Sequence, residues 1–168
     1  MTRKHSFGIV LYRTRKDGIV ELFLCKANGI RYWNSMRVKI WGIPKGRRDK
    51  KGESALKAAK REFHEETGCR APKLQYTKLC KFRTPHNKDI TVFIADATGI
   101  KNIKFRGSNT LTTEYPAGSG EFVTYPEIAA ARWLTIKQAR KWMMYGQTDL
   151  LDIIESHVKK HAQTAVTA

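Results

Sequence analysis

The stretch Ser54-Ala-Leu-Lys-Ala-Ala-Lys-Arg-Glu-Phe-His-Glu-Glu-Thr-Gly68 constrains the fold more than any other part of the chain. Leu56, Ala59 and Phe63 recur at i, i+3 and i+7, the period of a helix with one apolar stripe. Gly68 stands where a helix C-cap glycine belongs, so the spacing predicts a helix over 54–67. Glu62, Glu65 and Glu66 fall at i, i+3 and i+4, which crowds three carboxylates on neighbouring positions beside the stripe, at the edge of a core. Like charges at these spacings repel by roughly 0.2–0.5 kcal/mol per pair in an isolated helix. A divalent cation turns that repulsion into coordination. Magnesium suits such a site because it takes carboxylate, water and phosphate oxygens together, and manganese is a possible substitute. The bland alternative is a solvated helix face carrying ion pairs such as Arg61 to Glu65.

The flanking segments read as α/β. Phe7–Arg13 and Ile19–Ala27 are β-rich runs joined by Arg15-Lys16-Asp17-Gly18, a hairpin signal. Asn28–Arg37 reads as a loop with Tyr32 and Trp33, and Val38–Ile43 as a short strand stopped by Pro44. Lys73–Thr84 and Ile90–Thr98 form a second strand pair around a turn that contains His86. Lys101–Arg106 reads as a further short strand and Thr110–Gly120 as a polar loop. Glu121–Tyr125 and Ala130–Leu134 are extended. Ile136–Tyr145 and Thr148–Lys160 are helical, broken at Gly146. With no internal repeat or linker, residues 1–160 are expected to form one domain and 161–168 a flexible tail.

Composition narrows the class. A chain of 168 residues is long enough to bury a core. No run approaches the roughly 20 apolar residues of a membrane span, and the apolar run Phe7–Tyr12 is too short for a signal peptide, so no membrane association and a cytoplasmic location are expected. Three cysteines, Cys25, Cys69 and Cys80, without a Cys-x-x-Cys pair, argue against a zinc or disulfide framework. Lys and Arg number 32 against 15 Asp and Glu, a net charge of +17 that attracts polyanions or reflects a general basic bias. Against that background Asp49, Glu53, Glu62, Glu65 and Glu66 gather five of the fifteen acids in one window. An acidic knot in a basic chain suggests a cation site ringed by residues that attract anions.

Taken together, Gly46, Glu53, Arg61-Glu62, Phe63, Glu65-Glu66, Gly68 and Cys69 resemble the signature of the Nudix hydrolases: a glycine, five residues, Glu, seven residues, Arg-Glu, an apolar residue, any residue, Glu-Glu, any residue, Gly and an apolar residue. The resemblance is tight over residues 41–69 and loose over most of the chain. It departs twice, with six residues rather than five between Gly46 and Glu53, and with Cys69 at the aliphatic position. The extra residue falls in a loop, where insertion is cheap, and Cys69 can serve as a small hydrophobe. The resemblance implies an α/β/α sandwich with a mixed β-sheet. It also implies catalytic roles for Glu53, Arg61, Glu62, Glu65 and Glu66: Glu65 and Glu66 bind metal, Glu62 binds metal or assists as a base, and Glu53 and Arg61 orient the helix carboxylates. Gly46 would offer its carbonyl to the metal.

Glu127, six residues before Trp133 in Glu-Ile-Ala-Ala-Ala-Arg-Trp-Leu, resembles a segment of diadenosine tetraphosphate hydrolases. It is a candidate metal ligand or general base, with Glu114 and Glu121 as rivals. Trp41–Gly46 resembles the approach to the signature in the same hydrolases. Lys45, Arg47 and Arg48 are candidates for polyphosphate contact, and Tyr32, Trp33, Phe122 and Tyr125 for stacking on a base. His86 is a weaker candidate, and His64 is expected to be exposed. Three functions are weighed, and the first is the one expected, since the sequence carries neither the aromatic signals of an RNA-binding sheet nor a long basic run. One is a nucleotide pyrophosphohydrolase acting on nucleoside or dinucleoside polyphosphates. Another is an RNA 5′-end pyrophosphohydrolase, favoured by the charge, and the third is a non-catalytic binding module of the same fold.

Overall fold

The computed structural model describes residues 4–29, 40–85 and 87–166; Tyr32, Trp33 and His86 lie outside them. The chain runs β1 (His5–Thr14), β2 (Val20–Ala27), β3 (Trp41–Gly42), β4 (Lys45–Gly46), α1 (Ala55–Thr67), β5 (Thr77–Arg83), β6 (Asp89–Asp96), β7 (Thr110–Glu114), β8 (Phe122–Pro126), β9 (Ile128–Thr135), α2 (Ile136–Trp142), a 3₁₀ turn (Tyr145–Gln147) and α3 (Leu150–Val166).

Seven strands form a mixed sheet in the order β3-β2-β1-β6-β5, with β4 paired to β1 and β9 to β2. β1 and β6 are parallel and the other pairs antiparallel. Alternation along the strands builds two cores. Ile9, Leu11, Phe23 and Phe93 face α1 through Ala58, Ala59 and Phe63. Val10, Leu22, Leu24 and Val92 face the side that carries Ala139 of α2 and Leu151 and Ile154 of α3. Buried on both faces, β1, β2 and β6 read as near-continuous apolar runs, as strands covered by helices on both sides do. The result is an α/β/α sandwich.

The sheet opens at one point, and the site is built there. β2 pairs with β1 at Tyr12–Thr14, whereas Phe7 and Gly8 pair instead with β4. The segment 41–46 fills the gap, and Ile9 N donates to Pro44 O at 3.2 Å. A Cβ on Gly8 would stand 2.8 Å from Ile43 Cδ1 and 2.9 Å from Pro44 O, so only glycine admits this crossing.

Several expected elements differ. Val38–Ile43 contributes a strand only at Trp41–Gly42 among the described residues. β5 begins at Thr77 rather than Lys73. Lys101–Arg106 is not a strand: Ile103 is buried and Phe105 packs on the α1 core without a sheet partner. Residues 110–114 form β7, paired with β8 in a separate two-stranded hairpin, where a loop was expected. α2 stops at Trp142, and α3 continues through Val166, past residue 160. No helix among the described residues is long and apolar enough to cross a membrane.

Candidate active site

Helix α1 is fixed at both ends by its own sequence. Ser54 Oγ accepts from Lys57 N at 3.3 Å, and Gly68, at φ 67°, caps the C-terminus with its N–H on His64 O at 2.7 Å. A Cβ on Gly68 would lie 2.8 Å from Gly107 O, so the cap also admits the following chain. Phe63 is fully buried, which sets Glu62, Glu65 and Glu66 beside the buried stripe. His64 is exposed, as expected.

Arg61 organises the acids. Its Nε lies 3.2 Å from Glu53 Oε1 and 3.2 Å from Asp49 Oδ2, and its Nη1 lies 2.9 Å from both Glu62 Oε1 and Glu65 Oε2. Nη2 donates to Arg47 O at 2.5 Å. Glu53 also accepts from Asp49 N at 3.1 Å, which closes the loop between β4 and α1 upon the helix. Hydrogen bonds from Arg61 and Asp49 N hold Glu53 below the usual carboxylate range.

Glu66 is the unusual carboxylate. Its residue is 5% exposed, and burial pushes it up to about 8. The charge of Lys45 and a hydrogen bond from Lys45 N, 3.0 Å from Glu66 Oε2, oppose that rise, while the negative charges of Glu127 and Glu62 add to it. Burial raises Glu62 as well. Gly46 makes this possible, since a Cβ there would come within 2.0 Å of the Glu62 carboxyl. The glycine of the signature is required because the Glu62 carboxylate occupies its side-chain space.

Glu127, at the junction of β8 and β9, is half-buried and near enough to Glu66 to raise it. Backbone bonds secure it: Glu127 N donates to Asn109 O and Asn28 N to Glu127 O, each at 2.9 Å. Asn109 N donates to Glu65 O at 2.9 Å, so the root of the hairpin is tied to α1. The rivals lie elsewhere. Glu114 pairs across the hairpin with Phe122, four positions from its root, and accepts from Gly120 N at 2.7 Å. Glu121 follows in the same hairpin end, its carbonyl accepting from Tyr115 N at 2.8 Å.

Of the substrate-binding candidates, Lys45 is half-buried beside Glu66, and Arg47 and Arg48 are exposed. Arg48 lies 4.7 Å over the Phe7 ring. Tyr125 packs at the hairpin root, with Gly29 positioned so that a Cβ there would be 3.4 Å from its ring, and its hydroxyl is 3.3 Å from Thr113 Oγ1. Phe122 is 70% exposed. Sequence reasoning missed Gln147, a buried side chain whose Oε1 accepts from Ile43 N at 3.0 Å and holds the segment leading to Lys45. It carries no sequence signal of its own beyond a polar residue after Gly146.

The donor set of Glu62, Glu65, Glu66 and Glu127 is all hard oxygen, the chemistry that magnesium or manganese takes. Among the described residues no three acidic, His or Cys side chains converge tightly enough to hold an ion. Glu62 and Glu65 turn to Arg61 instead.

Comparison with known proteins places this geometry. A NUDIX domain family model matches residues 2–152. The chain is 34% identical over 99 residues to a protein of Acanthamoeba polyphaga mimivirus named "Putative mRNA-decapping protein", covering 59% of this chain and 25% of that protein. It thus spans about a quarter of that relative's length. Among solved structures, it is similar to a C. elegans Ap4A hydrolase in a binary complex, with a TM-score of 0.61 at 19% identity over 94% of this chain and 98% of the other. A mutT/nudix family protein from Listeria innocua gives a TM-score of 0.65 at 18% identity over 98% and 99% of the two chains. The Nudix domain of Shewanella oneidensis NrtR, complexed with ADP ribose, gives 0.62 at 14% over 94% and 90%. With Arg61, Glu62, Glu65 and Glu66 on α1, Gly46 and Glu53 against them, and a NUDIX domain model spanning most of its length, the chain belongs to the Nudix family.

Proposed function

We propose that the chain is a magnesium-dependent hydrolase of phosphoanhydride bonds in nucleoside or dinucleoside polyphosphates, acting in the cytoplasm. Manganese is the expected substitute for magnesium. The observation that carries this reading is Glu66, a carboxylate buried beside two others and pushed up to about 8. A perturbed acid in a cluster of acids is costly in a purely structural role, and such groups concentrate at functional sites. The ligands are Glu62, Glu65, Glu66 and Glu127, with the Gly46 carbonyl beside them. When bound, a divalent ion supplies charge neutralisation at the phosphate oxygens and makes a bound water acidic enough to ionise near neutral pH.

The chain's own residues do the rest. Arg61 and Glu53 hold the helix carboxylates in register. Glu62 or Glu127 takes the proton of the attacking water. Lys45, Arg47 and Arg48 hold the polyphosphate, and positioning of this kind supplies much of the acceleration in phosphoryl transfer. Tyr125, with Tyr32 and Trp33, is assigned to the base. The ADP ribose held by the Shewanella domain agrees with a nucleoside diphosphate as the common element.

A second reading, hydrolysis at an RNA 5′ end, is favoured by the mimivirus relative and by the net charge of +17. A non-catalytic module is disfavoured because Glu62, Glu65 and Glu66 are all retained.

Replacing Glu65 with Gln tests the reading. Turnover of nucleoside polyphosphates with magnesium should fall about 10³-fold or more, on the scale of losing a major electrostatic group, while circular dichroism stays unchanged. Normal turnover in the variant would refute the metal-site assignment.

A further inference from the structure

Part of the positive charge is concentrated beside the site. Cross-strand partners place Gly46, Phe7, Thr91 and Lys81 in one row of the sheet, and His5, Asp89 and Arg83 in the next. Partners in register share a face, and this is the face that α1 covers further along the strands. At its uncovered end, the side chains of Lys81 and Arg83 stay 50% and 52% exposed. Lys78, on the same strand, and Arg48, in the loop after β4, are also exposed. β5 ends the strand order, so no further strand among the described residues covers it.

These cations converge. Arg48 lies 4.7 Å over Phe7, and His5 stacks on the same ring at 4.4 Å. Burial lowers His5, and the charges of Lys81, Arg48 and Lys78 lower it further against the opposing pull of Asp89. Asp89 is the carboxylate among them, held by Lys81 at 2.9 Å and Arg83 at 3.1 Å. Lys81 and Arg83 therefore meet one acid, with Lys78 and Arg48 near enough to bear on His5 beside it.

The row from Gly46 to Lys81 crosses three strand spacings, about 14 Å. That exceeds the Debye length of about 8 Å at physiological ionic strength, so Lys78 and Lys81 add little to the hold on a free nucleotide seated at Glu66. A chain with a phosphate on every residue reaches them. His5 borders the path with a planar group of the kind on which unpaired bases stack.

We propose that this shelf is a track for single-stranded RNA, leading from the catalytic carboxylates across β1 and β6 to edge strand β5, by which an RNA 5′ end is seated at the site. The proposal rests on the hydrolase reading above and deepens its second form. It differs from a general affinity for polyanions in being local, and the opposite face supplies the control: Lys137 and Lys141 on α2 are exposed and belong to the other layer.

The test compares the whole chain with Lys78→Glu/Lys81→Glu and with the charge-matched Lys137→Glu/Lys141→Glu. Substrates are ATP and 5′-triphosphorylated single-stranded RNAs of two and of twenty nucleotides, with magnesium at two salt concentrations. The wild type should show a KM at least about tenfold lower for the long RNA than for the short one. Lys78→Glu/Lys81→Glu should remove that advantage and flatten the salt dependence by about one to two in log–log slope, as expected for losing one or two phosphate contacts. Its ATP turnover should stay within about twofold, and the α2 variant should match the wild type. The track is overturned if length confers no advantage, if the β5 variant keeps it, if the α2 variant loses as much, or if duplex RNA competes as well as single strands. Failure to hydrolyse any of these substrates, or diadenosine tetraphosphate run beside them, would refute the enzyme reading instead. Fluorescence anisotropy with the labelled 20-mer would then decide the track separately, by whether the β5 variant alone weakens binding.

Discussion

Arg61 and Arg140 each gather carboxylates, and they do so to different ends. Arg140 on α2 meets Asp152 at 2.6 Å and Glu155 at 2.5 Å on α3, with its own side chain 44% exposed. Arg61 meets Asp49, Glu53, Glu62 and Glu65, with a side chain 22% exposed, and stands beside the buried Glu66. Around Arg140, one positive charge faces two acids in water, and the pairing clips two helices together. Around Arg61, one positive charge faces four acids, and the negative charge of Glu62 helps to raise the buried Glu66 beside them. Arg61 leaves negative charge uncompensated and fixes where it sits. The cluster at Arg61 thus has the makings of the proposed metal receptor, whereas the pair at Arg140 clips two helices together.

The sharpest way to break the receptor leaves every charge in place. In Gly46→Ala the new Cβ must come within 2.0 Å of the Glu62 carboxyl, so either β4 or Glu62 moves. Steady-state kinetics should show kcat lower by about 10²–10³-fold, comparable to losing one electrostatic contact to the transition state. Unchanged turnover would mean that the position of Glu62 is immaterial. Next in size is Arg61→Lys, which keeps the charge but replaces a planar fork that reaches four carboxylates with a single ammonium. Manganese affinity, read by paramagnetic resonance, should weaken about 10–100-fold, the usual scale for residues that orient ligands. Retained affinity would show that the carboxylates need no organiser.

The acidic cluster on α1 was also the part most legible in the sequence. Glu62, Glu65 and Glu66 at i, i+3 and i+4 beside an apolar stripe put the acids at the core's edge, and Glu66 is indeed buried. What the spacing could not show was the long-range closure, in which Gly46 yields its side-chain space to Glu62 and Gln147 accepts from Ile43 N. Those contacts join residues 16 and 104 positions apart, and no local period reports them. The hairpin β7–β8 failed for a related reason. Thr110–Glu114 is exposed at every position but the last, so it lacks the apolar alternation by which strands announce themselves. Lys101–Arg106 erred in the opposite direction, since Ile103 and Phe105 alternate inward to fill a core without any strand to pair with.

A smaller effect separates the two arginine clusters by pH. Glu66 in the folded chain sits at about 8, above its ordinary value of 4.5. The folded state thus holds a proton that the unfolded chain has released, and without metal the stability from this group is full below about pH 4.5 and lost as pH rises through about 8. Thermal melts in a chelator should show a lower Tm at pH 8 than at pH 5.5 for this reason. Glu66→Gln should remove that part of the slope, leaving a contribution of the same sign from Glu62, which burial also raises, and one of opposite sign from His5 and His157, which burial lowers and which favour the folded state as pH rises through 6.5. If the two slopes coincide, Glu66 does not carry the proton.

The smallest effect belongs to the other arginine. Arg140→Ala removes ion pairs to two carboxylates in which Arg140 and Asp152 are largely in water, with side chains 44% and 71% exposed. Exposed pairs of this kind contribute about 0–1 kcal/mol. Arg140 belongs to the layer opposite α1, and α2 is held on its buried side by Ala139 and at its start by the Thr135–Gln138 capping box. Urea denaturation should therefore register a loss of no more than about 1 kcal/mol, with kcat and manganese affinity unchanged. A large loss of activity in this variant would collapse the contrast, because it would show that the clip between α2 and α3 reaches the receptor through the sheet. The expected result keeps them separate: similar hydrogen bonds between similar groups, with the outcome decided by burial and by how many charges are left over.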